Sequence, residues 1–191
     1  MAATPAAEPT VDRRPWLSAV WRRWPTALGI ALGVLILSGD DVQDSVTQLV
    51  LLLPLEYLLV AKLRRREATW PVVAVLFAVT IVVTVLDVVP LSSVFAGIAL
   101  VVLVWSVVDR QLFRSGEFQL QAAGMVGFGV LGLIGLAVAP DPARYVVAAA
   151  WLCHAAWDFV HLWRDRVVTR SYAEWCAVVD LCVALGLVFL I

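Results

Sequence analysis

Charges and prolines cut this chain into seven apolar pieces, at approximately 25–39, 43–62, 70–88, 91–109, 118–139, 143–163 and 171–191. Crossing the roughly 30 Å hydrocarbon core of a bilayer takes about 20 mostly apolar residues in a helix. The first piece is short, but Trp24 and Pro25 extend it toward an interface. The third and fourth are joined only by Val88–Leu91, where Pro90 marks a break; merged, they would be too long for one span. Composition agrees: 62% of the 191 residues are hydrophobic and 15% charged, with mean hydropathy +0.92. A soluble domain is nearer half apolar and about a quarter charged. The expectation is an all-α integral membrane bundle of seven transmembrane helices, with the lipid bilayer as its main partner. A net charge of −1 and the lack of a long basic run argue against nucleic acid.

The connectors test that count. Arg13, Arg14, Arg22 and Arg23 precede the first piece; Lys62, Arg64, Arg65 and Arg66 follow the second; Arg110 and Arg114 follow the fourth; Arg164, Arg166 and Arg170 follow the sixth. With seven crossings these thirteen of fourteen basic residues share one side, and only Arg144 joins Asp40, Asp41, Asp44, Asp87 and Asp141 opposite. The positive-inside rule then predicts a multi-pass protein of the cell (inner or plasma) membrane, N-terminus in the cytoplasm and C-terminus outside. Residues 1–15, rich in Ala and Pro, read as a disordered cytoplasmic N-terminus and not as a signal peptide. Trp16, Val20 and Trp24 fall at helical spacing among arginines, which suits a short helix in the headgroup layer. Residues 16–191 are expected to form a single domain.

An internal likeness divides that domain. The run Gly29–Asp41 parallels Val130–Asp141, and Glu56-Tyr57 parallels Asp158-Phe159, at an offset of about 101 residues. Each acid stands six residues before a basic connector, at Lys62 and Arg164. The expected plan is a 3+1+3 parallel repeat, with halves about 25–88 and 118–191 and the 91–109 helix as linker. It sets Glu56 and Asp158 at one depth, roughly 9 Å above the cytoplasmic boundary at about 1.5 Å per residue.

Ionisable side chains inside spans are costly and normally face the bundle interior. Five qualify: Glu56, His154, Asp158, His161 and Asp180. Trp151, His154, Asp158 and His161 lie at i, i+3, i+7 and i+10, covering roughly 80° of one helix face. That stripe is open to three readings: a hydrogen-bonded seam, a proton-handling site, or metal ligands with Glu56 opposite. It lacks the i, i+4 histidine pair of familiar zinc helices, and neither a metal nor a cofactor is assigned. Pro54 frees the carbonyl of Val50, kinking the helix that carries Glu56. Tyr172, Cys176 and Asp180 share a face of the last helix. Cys153, Cys176 and Cys182 read as small buried hydrophobes. Of nine tryptophans, Trp105, Trp151, Trp157 and Trp175 lie inside spans, where indole faces can serve packing or hold a cation. Gly29 and Gly33, and Gly124, Gly127, Gly132 and Gly135, read as sites of close helix packing.

A retinal pigment is excluded, because the only lysine, Lys62, stands at the end of a span. No P-loop, GxSxG, HExxH or dinucleotide fingerprint occurs. The stretch His154-Ala-Ala-Trp-Asp158-Phe-Val-His161, with Arg170-Ser-Tyr172-Ala-Glu-Trp-Cys176-Ala-Val-Val-Asp180, resembles a signature of small actinobacterial integral membrane proteins. About 200 residues, seven helices and an acid in each half are similar to the small integral-membrane terpene cyclases. Pro54-Leu55-Glu56 resembles the Pro-x-Glu of the heterodimeric lycopene cyclases, with Tyr57 in place of the paired acid. That resemblance implies an isomerase or lyase that cyclises a lipophilic isoprenoid-type small molecule through a carbocation. Glu56 or Asp158 would start the reaction, with His154, His161 and Asp180 as further catalytic groups. Trp151, Trp157, Trp105, Tyr57 and Tyr172 would line the substrate. Two other classes stay open, a proton-coupled or metal-ion transporter and a non-catalytic accessory subunit; the sequence sets no oligomeric state.

Overall fold

The computed structural model describes residues 21–114 and 116–191. The segment expected to be disordered, 1–15, and the residues Trp16 and Val20 of the expected interfacial helix lie outside them. Among the described residues eight α-helices follow one another: α1 (Trp24–Leu37), α2 (Val42–Leu49), α3 (Leu52–Leu63), α4 (Thr69–Leu86), α5 (Leu91–Val108), α6 (Glu117–Ala137), α7 (Pro140–Arg164) and α8 (Arg170–Phe189). No strand occurs among the described residues. α2 and α3 are one pass, broken at Val50–Leu51, where the Val50 N–H turns back to the Thr47 carbonyl at 3.3 Å. Pro54 explains the break, since its ring lacks an N–H and crowds the carbonyl four residues earlier.

Six passes are long and apolar enough to cross a membrane: Val42–Leu63, Arg66–Leu86, Leu91–Val108, Glu117–Ala137, Pro140–Arg164 and Arg170–Phe189. α1, at 14 residues, is the exception. It ends at Leu37, where the Ser38 hydroxyl bonds the Val34 carbonyl. The expected sixth segment, 143–163, begins three residues earlier, because Pro140 in the first turn is already set at a helical φ.

Side-chain bonds between connectors show which ends of the passes lie together. At one end Arg23 and Thr26 meet Glu174, Lys62 meets Asp109, Arg66 meets Asp165 and the Val168 carbonyl, and Arg166 meets Glu117. At the other end Gln43 donates to the Pro140 carbonyl and the Leu91 N–H donates to Gln48. The basic connectors after α3, α5 and α7 therefore share the end at which α1 begins, while Asp40, Asp41, Asp87 and Asp141 stand at the opposite end. Hydrogen bonds from Lys62 and from the Gln111 N–H hold the Asp109 carboxyl below the usual carboxylate range. The bond from Arg66 does the same to Asp165.

α3 is the central element, flanked by α4, α5 and α6; α6 packs on α7, α7 along α8, and α8 along α1. α1 and α8 run parallel, which brings their backbones close. A Cβ on Gly29 would stand 2.8 Å from the Trp175 carbonyl oxygen, and one on Gly33 2.6 Å from Cys182 Cβ. The expected close packing at these glycines is met. On α6 it is met at Gly124, Gly132 and Gly135, whereas Gly127 has open space beside it. The outward faces carry large exposed apolar side chains, among them Val34, Leu35, Val75, Ile81, Leu100 and Leu133. Such a surface is compatible with a multi-pass membrane protein.

Candidate functional site

Of the five in-span ionisable residues, Glu56, His154, Asp158 and Asp180 lie between α3, α7 and α8 and His161 lies toward α6; all five are buried. The break before Leu52 and the proline in the first turn of α3 fix how this short helix presents Glu56 and Tyr57. α7 contributes Trp151, His154, Asp158 and His161, and α8 contributes Tyr172, Cys176 and Asp180. Trp151 is locked by its indole N–H, which donates to the Val46 carbonyl at 3.1 Å.

Three arrangements result. In the first, the His154 Nδ1 faces Asp180 Oδ2 at 2.7 Å and Asp158 Oδ2 at 3.5 Å. The Tyr57 hydroxyl donates to Asp158 Oδ1 at 2.6 Å. Cys176 Sγ lies 3.6 Å from the Tyr172 hydroxyl and 4.0 Å from Asp180 Oδ1. His154, Asp158 and Asp180 have no exposed surface. Asp158 Oδ2 and His154 Nε2 make no hydrogen bond.

His161 belongs to the second. Its Nδ1 lies 2.8 Å from the Trp157 carbonyl and its Nε2 2.9 Å from Gln121 Nε2. A carbonyl only accepts, so Nδ1 carries the proton, and Nε2 accepts from the Gln121 amide. The Trp157 ring packs on His161 and Phe128 and covers Gly124. This is the α6 side of α7, turned away from Asp180.

The third is a cavity of about 140 Å3. Its walls are almost wholly carbon, and Trp151, Tyr172 and Trp175 give it an aromatic side. The polar groups on it are Glu56, Thr80, Cys176 and Asp180. Both Glu56 carboxyl oxygens and the Trp175 indole nitrogen are buried without a hydrogen-bond partner. An ionised carboxylate there would have no hydrogen-bond partner to compensate its charge. Leu32 and Ile36 of α1 and Phe77 and Thr80 of α4, partly exposed and inside their helices, form the rim. The cavity therefore opens sideways, between α1 and α4, onto the apolar outer face.

The expected residues thus divide. Glu56, Asp180, Trp151 and Tyr172 line the cavity; His154, Asp158 and Tyr57 stand behind it; His161 and Trp157 face α6. Trp105 is remote from all three: it is 55% exposed on α5, with the Lys62 ammonium 4.4 Å from its ring. One participant, Gln121, lies outside the expected set, and its amide one turn inside α6 is the signal that points to it. Cys176, expected as a small hydrophobe on the face of Tyr172 and Asp180, stands beside the polar atoms of both. No family model matches the chain, and neither a curated protein nor a solved structure matches it significantly.

Proposed function

We propose that this chain is a seven-crossing membrane enzyme, N-terminus cytoplasmic and C-terminus outside, that protonates an isoprenoid-type lipid with Glu56 and cyclises its end group. The observation that carries the reading is an unpartnered carboxyl in an apolar, aromatic-walled cavity that opens sideways. The gathering of basic connectors at the end where α1 begins supports the orientation. The pairing of α1 along full-length α8 supports counting α1 as a crossing. Bonds between positions about 101 apart, Tyr57–Asp158, Trp70–Ser171 and Thr69–Thr169, support a 3+1+3 duplication about an axis between the halves.

The size of the cavity restricts what enters. An apolar cavity of about 150 Å3 holds one benzene, so it is filled by one six-membered ring's worth of carbon, the terminal isoprene unit with the alkene of the next unit folded back onto it, and the rest of the chain trails into lipid between α1 and α4. The Glu56 O–H bond breaks as a C–H bond forms on the CH carbon of the terminal alkene, leaving a tertiary cation on its dimethyl carbon. The faces of Trp151, Trp175 and Tyr172 attract that cation more strongly in a dry site than in water. The next alkene attacks it and closes the ring, and a ring C–H proton returns to the Glu56 carboxylate. The net change is an isomerisation that needs no cofactor. For a terminal epoxide the same acid would protonate oxygen, and the Trp175 N–H is a free donor to that atom. A proton or metal-ion transporter would instead need a polar route between the two ends.

The test is turnover of squalene and of its terminal epoxide by the chain in lipid nanodiscs. Cyclic product from wild type and none from Glu56→Gln of equal thermal stability is expected. Equal turnover by the two would refute the role given to Glu56, and no turnover of either lipid by wild type would refute the substrate class.

A further inference from the structure

Behind the cavity, α7 and α8 each present an i, i+4 pair toward the other: His154 with Asp158, and Cys176 with Asp180. We infer that these four side chains form a tetrahedral site for a divalent transition-metal ion of the zinc type, clamping α7 to α8. One donor atom from each lies within 4.8 Å of all the others, and all four residues are buried. An ion with bonds of about 2.0–2.3 Å sets its ligand atoms roughly 3.3–3.8 Å apart. From His154 Nδ1, Asp180 Oδ2 stands at 2.7 Å and Asp158 Oδ2 at 3.5 Å, and no pair in the set is farther apart than 4.8 Å. Side-chain adjustments on the order of 1 Å complete the coordination.

Charge points the same way. Two desolvated aspartates need two positive charges beside them. Among the described residues His154 is their sole cationic partner, and it brings one at most. A divalent ion brings both, and it employs Asp158 Oδ2, which is fully buried and otherwise bonds nothing. Mixed nitrogen, sulfur and carboxylate donors suit zinc-type ions and not Mg2+ or Ca2+, which take oxygen alone. An outer layer exists too: the Tyr57 hydroxyl orients Asp158 through Oδ1, and the Tyr172 hydroxyl stands beside the Cys176 sulfur. On coordination Cys176 gives up its proton, and the one net negative charge this leaves is faced by the Tyr57 and Tyr172 hydroxyls.

The site goes beyond the chemistry assigned to Glu56, and its test needs no substrate. The intact chain in nanodiscs, stripped with a chelator, is titrated with Co2+. Binding of one ion per chain is expected, with the strong visible bands of tetrahedral cobalt and a near-ultraviolet sulfur-to-cobalt band; Zn2+ should displace both. Cys176→Ser should lose the sulfur band and bind roughly tenfold or more weakly, and Asp158→Asn should weaken binding likewise, whereas Cys153→Ser should leave the spectrum unchanged. If Cys176→Ser fails to fold, persistence of the Zn2+-displaceable sulfur band in the double variant Cys153→Ser with Cys182→Ser, where Cys176 is the one thiol left, decides the matter. Absence of stoichiometric Co2+ uptake, or a spectrum indifferent to Cys176→Ser, would overturn the site whatever the outcome for Glu56.

Discussion

Tyr57→Phe removes one oxygen and nothing else, from a ring that is 1% exposed. The lost bond is the 2.6 Å donation to Asp158 Oδ1. Polar bonds between helices in lipid average about 0.6 kcal/mol and reach about 1.7 kcal/mol. Here the acceptor belongs to a fully buried carboxyl whose other oxygen already bonds nothing, so the variant leaves Asp158 with His154 alone at 3.5 Å. Stranding a buried acceptor costs about 1–3 kcal/mol. Together these place the expected loss near 1.5–2 kcal/mol, roughly a 10- to 30-fold fall in the folded-to-unfolded ratio. Reversible unfolding in mixed micelles, read by tryptophan fluorescence, measures it. The double variant Tyr57→Phe with Asp158→Leu should recover at least half of the sum of the two single losses, because it leaves no stranded partner. A loss under about 0.5 kcal/mol, or strict additivity in the double variant, would show that the pair does not hold α3 to α7.

Other outcomes follow from the seams and connectors. Gly33→Leu should detach α1 from α8, since even a Cβ there stands 2.6 Å from Cys182 Cβ; protease cleavage in the Ser38–Asp41 connector should rise while Gly127→Leu, beside open space, changes little. Val167 holds a φ of 68° in a three-residue turn closed by the Val168 N–H on the Arg166 carbonyl. Such strain in a β-branched residue costs on the order of 1 kcal/mol or more, so Val167→Gly should raise the melting temperature, and a fall would contradict the strain. Asp109 and Asp165 have depressed pKa values in the folded state, so their ion pairs contribute above the ordinary Asp value, about 3.9. That contribution is lost as pH falls through the depressed values. Pepsin cleavage in the 109–117 connector should therefore increase only in strong acid, and Asp109→Asn should abolish the pH dependence.

Periodicity and charge made most of the helices legible, because apolar length and the placement of arginines are properties of the chain by itself. The break at Val50–Leu51 was legible for the same reason, through Pro54. The stripe on α7 was legible as a face and misleading as a site. Its roughly 80° arc spans two interfaces, so His154 and Asp158 meet α8 while His161 turns to Gln121 on α6. A sequence states which side chains share a face, and only tertiary packing states which neighbour each part of that face receives. Trp105 shows the same limit in reverse: an indole inside a span, it lies outside the bundle under Lys62. The sideways cavity was not legible at all, since it exists only where α1, α4 and α8 fail to close over Glu56.

The decisive step is the transfer of a proton from Glu56 to carbon. Turnover of squalene by the nanodisc-embedded chain in deuterated water, with the cyclic product weighed by mass spectrometry, reads that step. One deuterium per cyclic product is the predicted result, because the Glu56 proton exchanges with solvent before it is transferred. Cyclic product free of deuterium would contradict the account.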